Sequence, residues 1–366
     1  MIIVDPLLLD GAAKTFEDLI LKFADASGSD TAPIAWSPEI WSGLDTDGWT
    51  SIALPEEMDG AGGDWPTIIA IIKLAGFYRL PVPFAEHVLA TRFLADAGAP
   101  PPKGSQAKGP LSNAPLSLYL NSSAAPITLS KNNGVPVLNG AASNVAWGRF
   151  ASAILVIVED GAAGKLCVID VNGSDVETSQ NIADEPRDGF TLENCDITHA
   201  PISIQNPAHY QCCAATARAA MIAGAAQKVL EITVNYTNER EQFGRPIGKF
   251  QAVQNHLAIM AEHVSAVSVA VDGAAQSLGT DREFAMAASA KIVSGRAASE
   301  VAKRAHAVIA AIGFTREFEL NFLTRRLWAW RDDAGSELDW SKRLGHHVTA
   351  NGGNQLWPWL TESQSG

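Results

Sequence analysis

The segment "NEREQFGRPIGKFQ", residues 238–251, separates two long alanine-rich stretches, and its reading decides how the chain is organised. Upstream of it, "AHYQCCAATARAAMIAGAAQKVLEITVNYTNER" carries apolar residues at helical spacing and predicts a helix of about thirty residues. Gly244 and Pro246 break that helix, because proline cannot continue one and glycine weakens it. A second helix begins near Lys249 or Phe250. The free backbone N–H groups at its start carry partial positive charge, and Arg240 and Arg245 are close in sequence. With Phe243 as a stacking face and Gln242 as an amide, the combination suits a nucleotide diphosphate. A helical corner with solvated arginines is the simpler alternative.

Beyond this corner the helical period persists. "FQAVQNHLAIMAEHVSAVSVAVDGAAQSL", "DREFAMAASAKIVSGRAASEVAKRAHAVIAAI", "FELNFLTRRLWAWRDD" and "SELDWSKRLGHHV" predict further helices, apolar around much of their circumference, as in a four-helix bundle. Residues 1–108 also read as helical, with Ser37 before Pro38, and Asp64 before Trp65 and Pro66, as helix starts. Between them, after the Pro/Gly/Ser-rich "GAPPPKGSQAKGPLSNAP", the period changes to two. "LSLYL", "APITLS", "GVPVLNG", "SAILVIVED" and "KLCVIDV" alternate with turn residues and predict a small antiparallel β domain. The expected architecture is α+β: an N-terminal helical domain over 1–108, a middle β domain over 109–205 and a helical bundle over 206–366.

Length and composition bound the function. A chain of 366 residues, 47% hydrophobic and 18% charged, has the makeup of a soluble globular protein with two or three domains. A net charge of −13 opposes nucleic acid or an anionic membrane as partner. Cys167, Cys195, Cys212 and Cys213 fit neither a disulfide framework nor a zinc site, and Cys212 and Cys213 read as buried small hydrophobes. His256 and His263 share a helix face with no third ligand, so no metal is expected. His346 and His347 read as partners for helix-end carbonyls, and "TRRLWAWRDD" as a helix with buried tryptophans and surface arginines. The N-terminus lacks a basic leader, and no uncharged apolar run reaches about 18 residues, so the cytoplasm is the expected compartment.

"REQFGRPIGKFQAVQNHLA" resembles the signature of the acyl-CoA dehydrogenase family of flavoproteins, and the resemblance extends over the whole chain. "GWTSIALPEEMDGAGG" and "LPVPFAEHVLATRFLADAG" look like that family's N-terminal domain, and "AIGFTREFELNFLTRRLWAWRDDAGSE" like its C-terminal segment in short bacterial members. The resemblance implies FAD as cofactor and α,β-dehydrogenation of an acyl-CoA thioester. It assigns Arg240, Gln242 and Phe243 to the pyrophosphate and adenosine half of a neighbouring chain's FAD, with Gln251 in the same pocket.

Other family positions are changed. The base is usually a glutamate in Tyr-Glu-Gly-Thr/Ser; here "WRDDAGSE" offers Asp333 when aligned on Gly-Ser-Glu, or Ala334 when counted from Gly313. An aspartate reaches about an ångström less far, enough to impair proton transfer. Asp332 and Asp333 as a solvated helix end is the alternative. The earlier base position used by some members falls near Ala214, which cannot serve. The flavin-contacting Trp-Ile-Thr strand corresponds to Asn144–Ala146, the Thr-Glu-Pro loop has no counterpart, and Gln-x-x-Gly-Gly becomes "AVIAA", residues 307–311.

Most of what a chain supplies to its own flavin is therefore missing, while the residues that serve a neighbour remain. This pattern resembles one partner of the family's bacterial α2β2 heterotetramers, some of which act on steroid side-chain CoA thioesters. The expected partners are an acyl-CoA substrate, a related chain and an electron-transfer flavoprotein. A homo-oligomeric enzyme with Asp333 as base, and a scaffold that has lost its cofactor, are the alternatives.

Overall fold

The computed structural model of the chain describes residues 4–27, 36–100, 114–120, 126–160, 163–171, 174–198, 200–350 and 352. Four helices open it: α1 (Pro6–Ser27), α2 (Pro38–Thr46), α3 (Trp65–Phe77) and α4 (Phe84–Asp96). Two of their starts follow local chemistry. Ser37 Oγ accepts from the Ile40 N–H at 3.1 Å, and Asp64 Oδ1 from the Thr67 N–H at 2.9 Å. Each satisfies an orphan donor of the first turn, with proline just inside the helix.

Seven strands follow: β1 (Leu116–Leu120), β2 (Thr128–Asn132), β3 (Val135–Ala146), β4 (Ala153–Asp160), β5 (Ala163–Asp170), β6 (Arg187–Asp196) and β7 (Ile202–Ile204). They form two sheets, ordered β1-β4-β5-β7 and β2-β3-β6. The expected all-antiparallel domain needs one correction, since β1 runs parallel to β4, with Leu116 opposite Ala153. The β2–β3 hairpin intervenes between these two, and the chain re-enters the sheet in its original direction. β4 is apolar from Ala153 to Val158 because both its faces are buried there: Ala153, Leu155 and Ile157 join the helical core, while Ile154, Val156 and Val158 fill the space between the sheets.

The C-terminal part contains α5 (Pro207–Glu239), a two-strand hairpin of β8 (Glu241–Gln242) and β9 (Arg245–Pro246), then α6 (Gln251–Ser277), α7 (Glu283–Ile309), α8 (Leu320–Asp332) and α9 (Glu337–Ala350). α5, α6, α7 and α8 pack as a bundle, α9 lies on α7, and α3 lies along α5. Alanine lets these helices approach closely: Ala219, Ala223, Ala226, Ala287, Ala290 and Ala297 are all buried. α6 is long and apolar enough to cross a membrane by length and composition, but it packs on α5 and α7. Cys212 and Cys213 lie in the core as expected, and Cys195 is half-buried. The expected boundary at 108/109 lies outside the described residues; that at 205/206 falls between β7 and α5.

Candidate active-site cavity

A cavity of about 560 Å³ opens where α4, α5, the ends of β1 and β3, and the segment after α8 meet. Leu89, Leu118, Leu120, Ala214, Met221 and Trp340 make its apolar walls. Ser143 and Asn144 reach it from an irregularity in the β3–β6 ladder, where register shifts between Ala142 and Val145 and Asn144 takes φ 62°.

The polar wall is a chain of buried ion pairs. Arg187 Nη2 donates to Asp333 Oδ2 at 2.6 Å and to Glu185 Oε2 at 3.3 Å. Glu185 also accepts from Trp330 Nε1 at 2.8 Å, Arg326 Nε at 3.1 Å and Asn181 Nδ2 at 3.1 Å. On the other side, Arg218 Nη2 lies 3.6 Å from Asp333 Oδ2 and donates to Glu86 Oε1 at 2.7 Å. Burial alone would raise the Asp333 pKa, but Arg187 and Arg218 outweigh it and hold the carboxyl below its ordinary value. Glu185 is likewise lowered: burial raises it, and Arg326, Arg187 and Arg218 overcome that.

Asp333 is thus no solvated helix end, although Asp332 beside it is exposed. Arg187 holds its Oδ2 in a charge-assisted hydrogen bond, which favours the ionised form. Ala334 lines the cavity with φ 57°, so the position offered by counting from Gly313 brings a methyl group, and Ala214 brings another. The arginines of α8 also need correction. Arg326 is fully buried on Glu185, because an acidic partner from the middle domain meets it there.

Behind Asp333, the fully buried Lys291 donates from Nζ to the Arg331 carbonyl at 2.6 Å. Burial lowers its pKa to about 8, Asp333 opposes this and Arg218 reinforces it. Because the folded pKa lies below the unfolded one, stability rises with pH across that interval, where only the unfolded chain keeps the proton. Lys291→Met is expected to raise stability near neutral pH by about 2 kcal/mol. It should also flatten the rise between pH 8 and 10, measured by urea unfolding.

Arg240, Gln242, Phe243 and Gln251 lie elsewhere: all four are exposed and none lines the cavity. The hairpin turns on Phe243 at φ 54° and Gly244 at φ 75°, the two-residue geometry with both central φ positive. Phenylalanine is a poor occupant of such a position, yet its ring is 94% exposed. Arg245 stacks on Phe250, 4.3 Å from the ring centroid, and stiffens the base of the hairpin. Among the described residues the side chains of Arg240 and Gln242 make no hydrogen bond or ion pair. α6 then starts at Gln251 without a side-chain cap, leaving N–H groups open beside them.

Residues 214–331 match the family model for the acyl-CoA dehydrogenase C-terminal domain. This part of the chain is an acyl-CoA dehydrogenase C-terminal domain. The chain is 29% identical over 323 residues to acyl-CoA dehydrogenase FadE34 of Mycobacterium tuberculosis, covering 85% of this chain and 42% of that relative. It is 25% identical to acyl-CoA dehydrogenase IpdE2 of Mycolicibacterium smegmatis, covering 86% and 89% respectively. Two solved structures share the fold. A chain of the ChsE4-ChsE5 complex from Mycobacterium tuberculosis superposes with TM-score 0.81 at 20% identity, covering 95% of this chain and 99% of that one. Butyryl-CoA dehydrogenase from Megasphaera elsdenii gives 0.80 at 18%, covering 95% and 100%.

The family cofactor can be tested against two places. The described cavity walls fit an isoalloxazine poorly: Arg187, Asp333, Arg218 and Glu86 are paired with one another, and Ala146 brings only a methyl group. The exposed hairpin has the groups a diphosphate needs, with a free guanidinium, an amide and an aromatic face.

Sequence reading missed Glu86, Glu185, Arg187, Arg218, Lys291 and Arg326. A signal existed for Arg218 and Lys291: each is a lone cation in an otherwise apolar helical run, which burial tolerates only with a partner.

Proposed function

We propose that this chain is one subunit of a heteromeric, FAD-dependent acyl-CoA dehydrogenase of the cytoplasm, assembled as a tetramer with a related chain. The observation that carries the reading is the contrast between its two sites. The cavity offers Ala334 and an arginine-bound Asp333 at the two expected base positions, while Arg240 and Gln242 stand unpaired beside the exposed Phe243 on a hairpin. The related chain supplies the base; this chain supplies a clamp on the diphosphate of the shared FAD, with Gln251 at its edge. The reaction is α,β-dehydrogenation of an acyl-CoA thioester, for which FAD is the two-electron sink. The acyl group belongs to fatty acid or steroid side-chain catabolism, and an electron-transfer flavoprotein takes the electrons onward. Asp333 has a structural role in this reading, so a homo-oligomer using it as base is the weaker alternative, and a cofactor-free scaffold leaves the hairpin without a purpose.

The visible spectrum tests this. Flavin absorbance is expected only when the chain is purified together with its related chain; full occupancy in the lone chain would overturn the heteromer. Arg240→Ala removes a charge-assisted contact worth about 1.5–3 kcal/mol, so FAD should leave the complex at least about tenfold more readily. Unchanged FAD retention would remove the hairpin from the cofactor site.

A further inference from the structure

We propose that the ion chain Arg326–Glu185–Arg187–Asp333–Arg218–Glu86 takes the mechanical place of a flavin in this subunit, tying the middle domain to the bundle across the cavity. The proposal rests on the shared-cofactor reading above and explains how a chain with no flavin of its own keeps its domains docked.

The placement of the six residues supports it. Glu185 and Arg187 come from the end of the middle domain's long β5–β6 connection and the start of β6. Arg326 lies on α8 and Asp333 just past its end, Arg218 is on α5 and Glu86 on α4. The pairs therefore join three parts of the molecule in one continuous path around the cavity. Three guanidinium groups face three carboxylates, so the path is internally neutral. Its bundle-side half is buried, with Glu185 and Arg187 each 4% exposed in their side chains and Arg326 2%.

Hydrogen-bond supply points the same way. Glu185 takes four donors, and Arg187 spends its remaining Nη1 on the Pro186 carbonyl at 2.9 Å. A flavin ring in this cavity would find both terminal nitrogens of Arg187, both oxygens of Glu185 and Asp333 Oδ2 already engaged. A second tie runs alongside at the surface: Arg325 grips both oxygens of Asp184 at 2.8 Å each and donates to the Ile182 carbonyl at 2.6 Å. Buried ion networks add little net stability over apolar packing, but they define one arrangement sharply, since any other leaves charges unpaired. Fixing one domain arrangement is what a cofactor wedged between the same walls would otherwise do.

The test uses the full chain purified alone. Saturating FAD is expected to leave its apparent Tm unchanged, because a ligand stabilises only what it binds. Asp333→Asn and Arg187→Met should each lower the apparent Tm by roughly 5 °C or more. They should also speed amide exchange across residues 181–187 about tenfold by releasing that segment from α8. Glu300→Gln, which breaks only the (i, i+4) pair with Arg304, should do neither. Asp333→Asn, nearly isosteric and more exposed than Arg187, keeps the test open if Arg187→Met does not fold. Uptake of one FAD per lone chain with a rise in Tm would overturn the proposal, as would unchanged Tm and exchange in both variants. Absence of flavin from the assembled complex would instead overturn the shared-cofactor reading, and the Tm and exchange results would still decide the tie.

Discussion

Glu185→Ala is expected to destabilise the chain by about 3–5 kcal/mol, a large part of the 5–15 kcal/mol that usually separates folded from unfolded states. The reason is the number of groups that one carboxylate satisfies. It accepts from Trp330, Arg326, Arg187 and Asn181, and the residue is 3% exposed. Without it, Arg326 keeps only a 3.4 Å contact from Nη1 to the Phe322 carbonyl, with its charge fully buried. Arg187 keeps Asp333, so the damage there is partial. Glu185→Gln retains an acceptor but removes the charge, and it should fall between the two. Urea unfolding measures both variants; a loss below about 1 kcal/mol for Glu185→Ala would mean that water or a side-chain shift readily replaces the carboxylate.

What was legible in the sequence follows from the range of the interactions. The caps at Ser37 and Asp64 are local chemistry within one turn, and they were readable. So was the break at Gly244–Pro246, although the tight hairpin and the left-handed backbone of Phe243 were not, because residue type alone gives little sign of a positive φ outside glycine. The parallel β1–β4 pairing was hidden for a topological reason: alternation reports which face is buried, not which strand lies beside it. The ion path was hidden most completely. Arg187 meets Asp333 across 146 residues and Arg326 meets Glu185 across 141, so each acid and base looked like surface when read alone. Asp333 shows the consequence: the residue type was visible as a candidate base, whereas the guanidinium that occupies it was not. At "AVIAA" the opposite happened, since Ala310 holds φ 62° and ψ −142°, a backbone shape suited to glycine and taken here by alanine.

Gly224→Ala should destabilise by about 3 kcal/mol, opposite in sign to what helix propensity predicts. In an exposed helix the same change gains roughly 1 kcal/mol. Here α3 and α5 cross backbone to backbone: a Cβ on Gly224 would drive into the Lys73 carbonyl oxygen and sit 2.7 Å from the Phe77 nitrogen. Gly76 makes the reciprocal approach to the Met221 carbonyl, so neither helix can yield without separating along the whole crossing. Backbone, unlike the end of a flexible side chain, has no alternative rotamer to adopt. Gly11→Ala in α1 is the matched control, since a Cβ there meets nothing within 4 Å and the residue is exposed; it should stabilise by about 1 kcal/mol. The crossing also bears on the cavity, because α5 carries Arg218 fewer than two turns before Gly224, and Glu86 reaches it from α4. A displaced α5 would stretch the Arg218–Glu86 pair, so Gly224→Ala should increase amide exchange near the cavity as well as lowering Tm. Lower Tm with unchanged exchange there would confine the strain to the α3–α5 contact.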